Sequence, residues 1–147
     1  MTVREATGAE HPVVMELLQA YMDELWRRPF APGPLDPRTL TGKLVLVAEE
    51  DAEVAGAAFG DVAVPDRPAH LNFVYVQPGR RGEGIGRELV RAFVSAAAAA
   101  GAEHVVLDVD TTNEPAQALW GRLGFVDFAR RLVAPTGALV ERLEPPA

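Results

Sequence analysis

Three glycines fall within five positions of the stretch RRGEGIGRELV, residues 80–90, which opens on paired arginines and runs into a helical pattern. Glycine has no Cβ, so successive backbone N–H groups can converge there on an anion, and the start of the following helix adds positive dipole. The chemistry this suits is capture of a phosphate or diphosphate. Two common phosphate loops are excluded directly. A P-loop needs a lysine and a hydroxyl residue after its last glycine, whereas Gly84 is followed by Ile85 and Gly86. The fingerprint G-x-G-x-x-G, begun at Gly82 or Gly84, would put its third glycine on Arg87 or Leu89. A tight strand-to-helix turn needs only one glycine, so three favour a cradle.

Other side chains narrow the chemistry further. Cysteine is absent, which removes disulfides, thiolate zinc sites and a cysteine nucleophile. Ser95 lies inside a helical pattern with no adjacent base, so no covalent enzyme intermediate is expected. The histidines, His11, His70 and His104, form no metal constellation, and no metal is expected. His70, at the mouth of a strand, is of the residue type that takes a proton from an ammonium; an ordinary surface histidine is the other reading. Asp108 and Asp110 flank Val109 and therefore share one side of their strand.

The elements that must position these residues follow from periodicity. Val13, Val14, Leu17, Leu18, Tyr21, Met22 and Leu25 recur at helical spacing and predict a helix over 10–26. Thr7 and Glu10 have capping-box spacing, although Pro12 removes an early donor. Four prolines in 27–37 make that segment a loop. KLVLVAEED, EVAGAAFGDVAV and AHLNFVYVQP read as strands, with Asp51 and Ala52 as the turn between the first two. A helix over 84–100 ends at Gly101, HVVLDVD is a strand, and a short helix carries Pro115 in its first turn and Gly124 past its end. VDFARRLV and ALVERLE read as a terminal antiparallel pair. The expected fold class is α/β, a mixed sheet covered by helices.

A chain of 147 residues fits one domain, 1–147, with 48% hydrophobic and 24% charged residues typical of a globular protein. The small-apolar run 92–100 is far shorter than the ~20 residues needed to cross a bilayer, so no membrane role is expected. The opening MTVREATGAE lacks a signal-peptide stretch, which points to the cytoplasm. A net charge of −7 argues against nucleic acid as a partner and suits a cationic one.

Arg81, Gly84 and Gly86 form R-x-x-G-x-G after the strand LNFVYV. Asn113, Ala116, Leu119, Trp120, Gly124 and Phe125 form N-x-x-A-x-x-L-W-x-x-x-G-F. In both motifs, and in the order of its elements, the chain resembles the GCN5-related N-acetyltransferase (GNAT) family. The resemblance implies a sheet with two splayed parallel strands. It implies acetyl-coenzyme A as co-substrate, and transfer of acetyl to a primary amine of a small molecule or peptide by direct attack in a ternary complex. It further implies that the backbone of Val74, Tyr75 and Val76 pairs with the pantetheine arm, the Val76 N–H facing the thioester carbonyl. The pyrophosphate would sit on Arg81, Gly82, Glu83, Gly84, Ile85, Gly86 and Arg87, largely on main-chain N–H groups, and Asn113 would reach the arm, its other reading being a turn residue. Trp120 stands where the family often has a tyrosine acid, and indole is no practical acid. Asn72 stands where some relatives carry a glutamate base. These two departures keep a non-catalytic acyl-coenzyme A sensor open as the alternative function. The acceptor would lie against Tyr21, Trp26 and Phe30, with core packing the other reading of Tyr21. Exposed strand edges leave a homodimer open.

Overall fold

The structure is a computed structural model describing residues 1–33 and 35–145. The chain divides into two compact units, Met1–Asp110 and a second beginning at Thr111.

The first unit is a mixed five-stranded sheet in the order β1 (Thr2–Glu5), β2 (Leu44–Glu50), β3 (Glu53–Asp61), β4 (Ala69–Val76) and β5 (Val105–Val106). β1 to β4 pair antiparallel, and β5 runs parallel to β4. Two helices, α1 (His11–Leu25) and α2 (Ile85–Ala99), cover it. Strand alternation assigns their faces. Ala57 and Phe59 of β3 join Val14, Leu17 and Leu18 of α1 in one buried cluster with Phe73 and Tyr75. Gly56 and Gly60, on the opposite face of β3, approach Leu89 and Phe93 of α2. β3 is therefore covered on both sides, which explains its unbroken run of small and apolar residues.

Local chemistry explains the connections. Asp51 and Ala52 both take positive φ, 52° and 61°, in the two-residue turn between β2 and β3, as expected there. The capping conflict at the start of α1 resolves spatially. Glu10 Oε1 accepts from the Thr7 N–H at 2.9 Å, closing a 3-10 turn over Gly8–Glu10, and Pro12 falls in the next turn, where donors are orphaned anyway. β1 was not expected, because TVRE has no apolar alternation. It is held by backbone pairing with β2 along its whole length, and Arg4 adds ion pairs to Glu10 and Glu49, each at 2.7 Å.

β4 carries a bulge. Phe59 pairs with Phe73 and Gly60 with Leu71, leaving Asn72 without an opposite residue. The extra residue switches the face of everything before it, so Phe73 and Tyr75 pack toward α1 while Leu71 pairs with Gly60 on the α2 side.

A charged strut joins α1 to the turn after β4. Arg81 Nη1 and Nη2 donate to the two oxygens of Glu24 at 2.6 and 2.8 Å, and Arg81 Nε donates to the Val76 carbonyl at 3.0 Å. The Tyr75 hydroxyl donates to Glu24 at 2.6 Å, and the Arg81 guanidinium lies 5.2 Å from the Tyr75 ring centre. The Arg81 pair, then the Tyr75 hydroxyl, lower the Glu24 carboxyl from 4.5 to about 2. Burial first and Glu24 second push the Tyr75 phenol upward.

The second unit holds α3 (Glu114–Leu123) and α4 (Thr136–Leu143). α3 has Pro115 in its first turn and ends on Gly124 at φ 101°, with the Phe125 N–H on the Trp120 carbonyl at 3.0 Å. The expected terminal antiparallel pair is corrected: among the described residues 126–135 form no strand, and Thr136–Leu143 is helical. Leu139, Val140 and Leu143 have helical rather than alternating spacing, and an isolated hairpin without a third strand is marginal.

Two predictions follow from this packing. An added Cβ at Gly60 would strike the His70 carbonyl and lie 2.8 Å from the Phe93 ring, so Gly60→Ala should cost about 1–3 kcal/mol in urea unfolding. Equal stability would refute the close approach. Because the Glu24 carboxyl is lowered on folding, its contribution is full above 4.5 and is lost as pH falls toward about 2. The stability gap between the native chain and Glu24→Gln should be constant from pH 7 to 5 and close below that; a pH-independent gap would refute the ionised strut.

Candidate active site

The parting of β4 from β5 builds the site. Only Ala69 with Val105 and His70 with Val106 pair, and the Ala69 N–H donates to the His104 carbonyl at 3.0 Å. The expected strand over 104–110 thus shrinks to two residues. Beyond them β4 continues alone to Val76. The Gln77 N–H donates to the Ala55 carbonyl on the β3 side at 2.9 Å, which fixes the phase of the strand. Val76 and Val74 therefore turn their backbone groups to the open edge, while Tyr75 turns to β3. The Arg81 bond to the Val76 carbonyl agrees with this phase. Tyr75 supports the edge from behind through Glu24 and offers it no backbone group, which corrects its place among the arm-binding residues.

At the end of this edge lies the glycine turn. Gly82 and Gly84 have φ of 84° and 82°, a region side chains reach only with strain, and Gly84 is the N-cap of α2 with no side chain to cap it. The first N–H groups of α2 have no intrahelical partner by geometry. Gly86 differs: an added Cβ would meet only Val76 Cγ2, at an ordinary 3.6 Å. Neither backbone strain nor packing within the described residues requires glycine there. A cradle for an anion at the helix start supplies a reason, and the exposed, glycine-bare turn fits a diphosphate. Ile85 anchors the turn at 2% exposure, Glu83 and Arg87 are exposed, and Arg80 is drawn to Glu50 at 3.4 Å. Arg81 is committed to Glu24 and Val76, which leaves the main-chain N–H groups and the exposed Arg87 as donors an anion could use here.

Across the opening, the first unit gathers side chains from three segments. His70 Nε2 lies 3.7 Å from Asp108 Oδ2. Arg28 Nε lies 3.3 Å from Asp110 Oδ1. The Arg28 guanidinium lies 5.0 Å from the Trp26 ring centre, and Trp26 meets Phe30 edge-on while its indole donates to the Phe30 carbonyl at 2.8 Å. Tyr21 packs edge-on against Phe73 and Tyr75, so its core role holds. Burial first and Asp110 second push its phenol upward, while Arg28 pulls it down.

Two candidates do not come together. His70 and Val76 sit near opposite ends of β4, six residues or roughly 20 Å apart at the usual strand rise. Glu24 and Arg28 carried no sequence signal, being charges in a helix and a proline-rich loop. Within the second unit, Asn113 caps α3 by accepting from the Ala116 N–H at 3.3 Å, matching its turn reading, and Trp120 packs edge-on against Phe125 with centres 5.6 Å apart.

Among known proteins, this chain is 37% identical over 98 residues to the L-amino acid N-acyltransferase MnaT of Escherichia coli, an alignment covering 65% of this chain and 57% of that protein. It is 32% identical over 140 residues to mycothiol acetyltransferase of Streptomyces bingchenggensis, covering 92% of this chain and 41% of that protein. The chain thus spans about half the length of the curated relatives it matches. A ribosomal-protein-alanine N-acetyltransferase from Brucella melitensis biovar Abortus shares the fold, with a TM-score of 0.71 at 20% identity over 90% of this chain and 98% of that one. The family model described as Acetyltransferase (GNAT) family matches residues 12–125, which take in the glycine turn, the parted strands and the Asn113 motif. This chain belongs to the GNAT acetyltransferase family.

Proposed function

We propose that the chain binds acetyl-coenzyme A along the open edge of β4 and transfers the acetyl group to a primary amine. The observation that carries this reading is a strand edge with outward N–H groups at Val74 and Val76, running into the donor-rich start of α2. A pantetheine arm fits the edge as an added strand, and a diphosphate fits the turn from Gly82 to Arg87. The relatives named as acyl- and acetyltransferases support the same class of reaction.

The bound thioester supplies an activated acyl group, and the chain's own groups do the rest. Val74 lies two residues, roughly 7 Å, nearer to His70 than Val76 does, so Val74 N–H is assigned to the thioester carbonyl and Val76 to the arm. This shifts the carbonyl-facing role from the residue the family resemblance first implied. The acceptor ammonium gives one proton to His70 through a chain of waters along the four residues, roughly 13 Å, that separate Val74 from His70 on β4, with Asp108 beside the ring to steady the charge. The nitrogen–carbon bond forms, the carbon–sulfur bond breaks, and the second nitrogen proton ends on the departing thiolate. With an ordinary thiol pKa near ~8.5, that thiolate leaves without a dedicated acid, so Trp120 is compatible with turnover.

Trp120 also favours a second reading, an acyl-coenzyme A sensor without turnover. Thiol release over a panel of amines separates the two.

Gly86→Ala should leave the melting temperature equal or higher, since alanine gains about 1 kcal/mol in a helix, yet weaken coenzyme A at least about tenfold by calorimetry. Unchanged affinity would remove the cradle. His70→Gln should lower kcat about 10²-fold while coenzyme affinity holds. A kcat equal to that of the native chain would take His70 out of the proton path.

A further inference from the structure

We infer that Arg28 and Asp110 form a reading head for an α-amino-acid-like acceptor, Asp110 taking the ammonium and Arg28 the carboxylate. This rests on the reading that the β4 edge holds the acyl donor.

Contacts place the pair. Tyr21 packs edge-on against Phe73 and Tyr75 of β4, and the paired Arg28 and Asp110 are the charges that act on its phenol. Asp110 therefore stands beside the part of β4 that carries the N–H assigned to the thioester carbonyl. An ammonium drawn to Asp110 arrives where attack takes place.

Charge geometry gives the class. The pair meets at one contact, Nε to Oδ1 at 3.3 Å, and both side chains are partly reachable, 29% and 18% exposed. A bidentate guanidinium–carboxylate pair would use two parallel bonds, so this single contact leaves Arg28 with further donors in its fork. Opposite charges this close match a ligand whose ammonium and carboxylate share one carbon. A plain amine would compete for Asp110 and offer Arg28 nothing in return, and a plain carboxylate would do the reverse. Stacking on Trp26 holds the guanidinium plane, and the Trp26 and Phe30 rings, the latter 47% exposed, provide an apolar wall for the side chain on that carbon.

An ion pair that merely ties the 27–36 loop to the end of the sheet would be blind to the acceptor's carboxylate, and this separates the two roles. L-amino acids and their decarboxylated amines are titrated into coenzyme A-saturated protein by calorimetry and assayed with acetyl-coenzyme A by thiol release. Amino acids should win by at least about tenfold in kcat/KM. Arg28→Gln should bring amino acids down to the level of the amines, Arg28→Lys should restore part of the preference, and Asp110→Asn should weaken both series. Coenzyme A affinity and folding, followed by melting temperature, report separately. No preference in the native chain, an equal fall of both series in Arg28→Gln, or no acceptor binding to the coenzyme-loaded protein would each overturn the inference. Failure of the native chain to bind coenzyme A would instead remove the donor reading on which it rests.

Discussion

Backbone hydrogen bonding at one junction governs this molecule. A strand inside a sheet must find partners for its N–H and C=O groups on both sides, yet β4 has a β5 partner for only two residues. From Leu71 onward one side of β4 faces no strand. Such an edge is a liability in a protein that leaves it bare, because it templates pairing with other chains. Here it is short, and Arg81 already satisfies the Val76 carbonyl from within the chain. What remains outward is the Val76 N–H and both backbone groups of Val74, an edge that suits a ligand with amides of its own.

The rest of the first unit keeps that edge straight and open. β3 braces β4 from the other side and is itself buried on both faces, so the brace is rigid. The bulge at Asn72 lets the strand keep both helices packed, Leu71 serving one face and Phe73 with Tyr75 the other. The Glu24–Arg81–Tyr75 strut then joins the C-terminal part of α1 to the turn that ends β4. One consequence is that Arg81, first in the family-like motif, acts on its own chain, so the turn presents its main-chain N–H groups and the exposed Arg87.

Much of this was legible in the sequence, and the limits have physical causes. The glycine spacing, the strand before it and the helix after it are local signals, and they fell where expected. The Asn113 motif fixed α3 down to Pro115 and Gly124 for the same reason. β1 escaped because it has no apolar alternation, and the backbone pairing with β2 that holds it comes from residues more than forty positions away. The segment after Gly124 was misread because alternation alone does not make a strand when no partner backbone is at hand. Glu24, Arg28 and Asp110 were invisible or unplaced because each acquires meaning only from a partner far away in sequence, 57 residues for Glu24 with Arg81 and 82 for Arg28 with Asp110.

Tertiary contacts supply what spacing could not. The alternation of Asp108 and Asp110 says nothing about which residues they meet. The fold decides it: beyond Val106 the chain leaves the ladder, Asp108 comes within 3.7 Å of His70, and Asp110 within 3.3 Å of Arg28. The same parting that frees donors on β4 also frees the chain after Val106 to turn its acids toward α1 and the 27–36 loop, where Arg28 and the aromatic pair wait. A longer β5 would close the edge and withdraw Asp110 together. On the proposed reading, donor capture and acceptor recognition are two results of one broken ladder, and a change that extends the pairing would remove both at once.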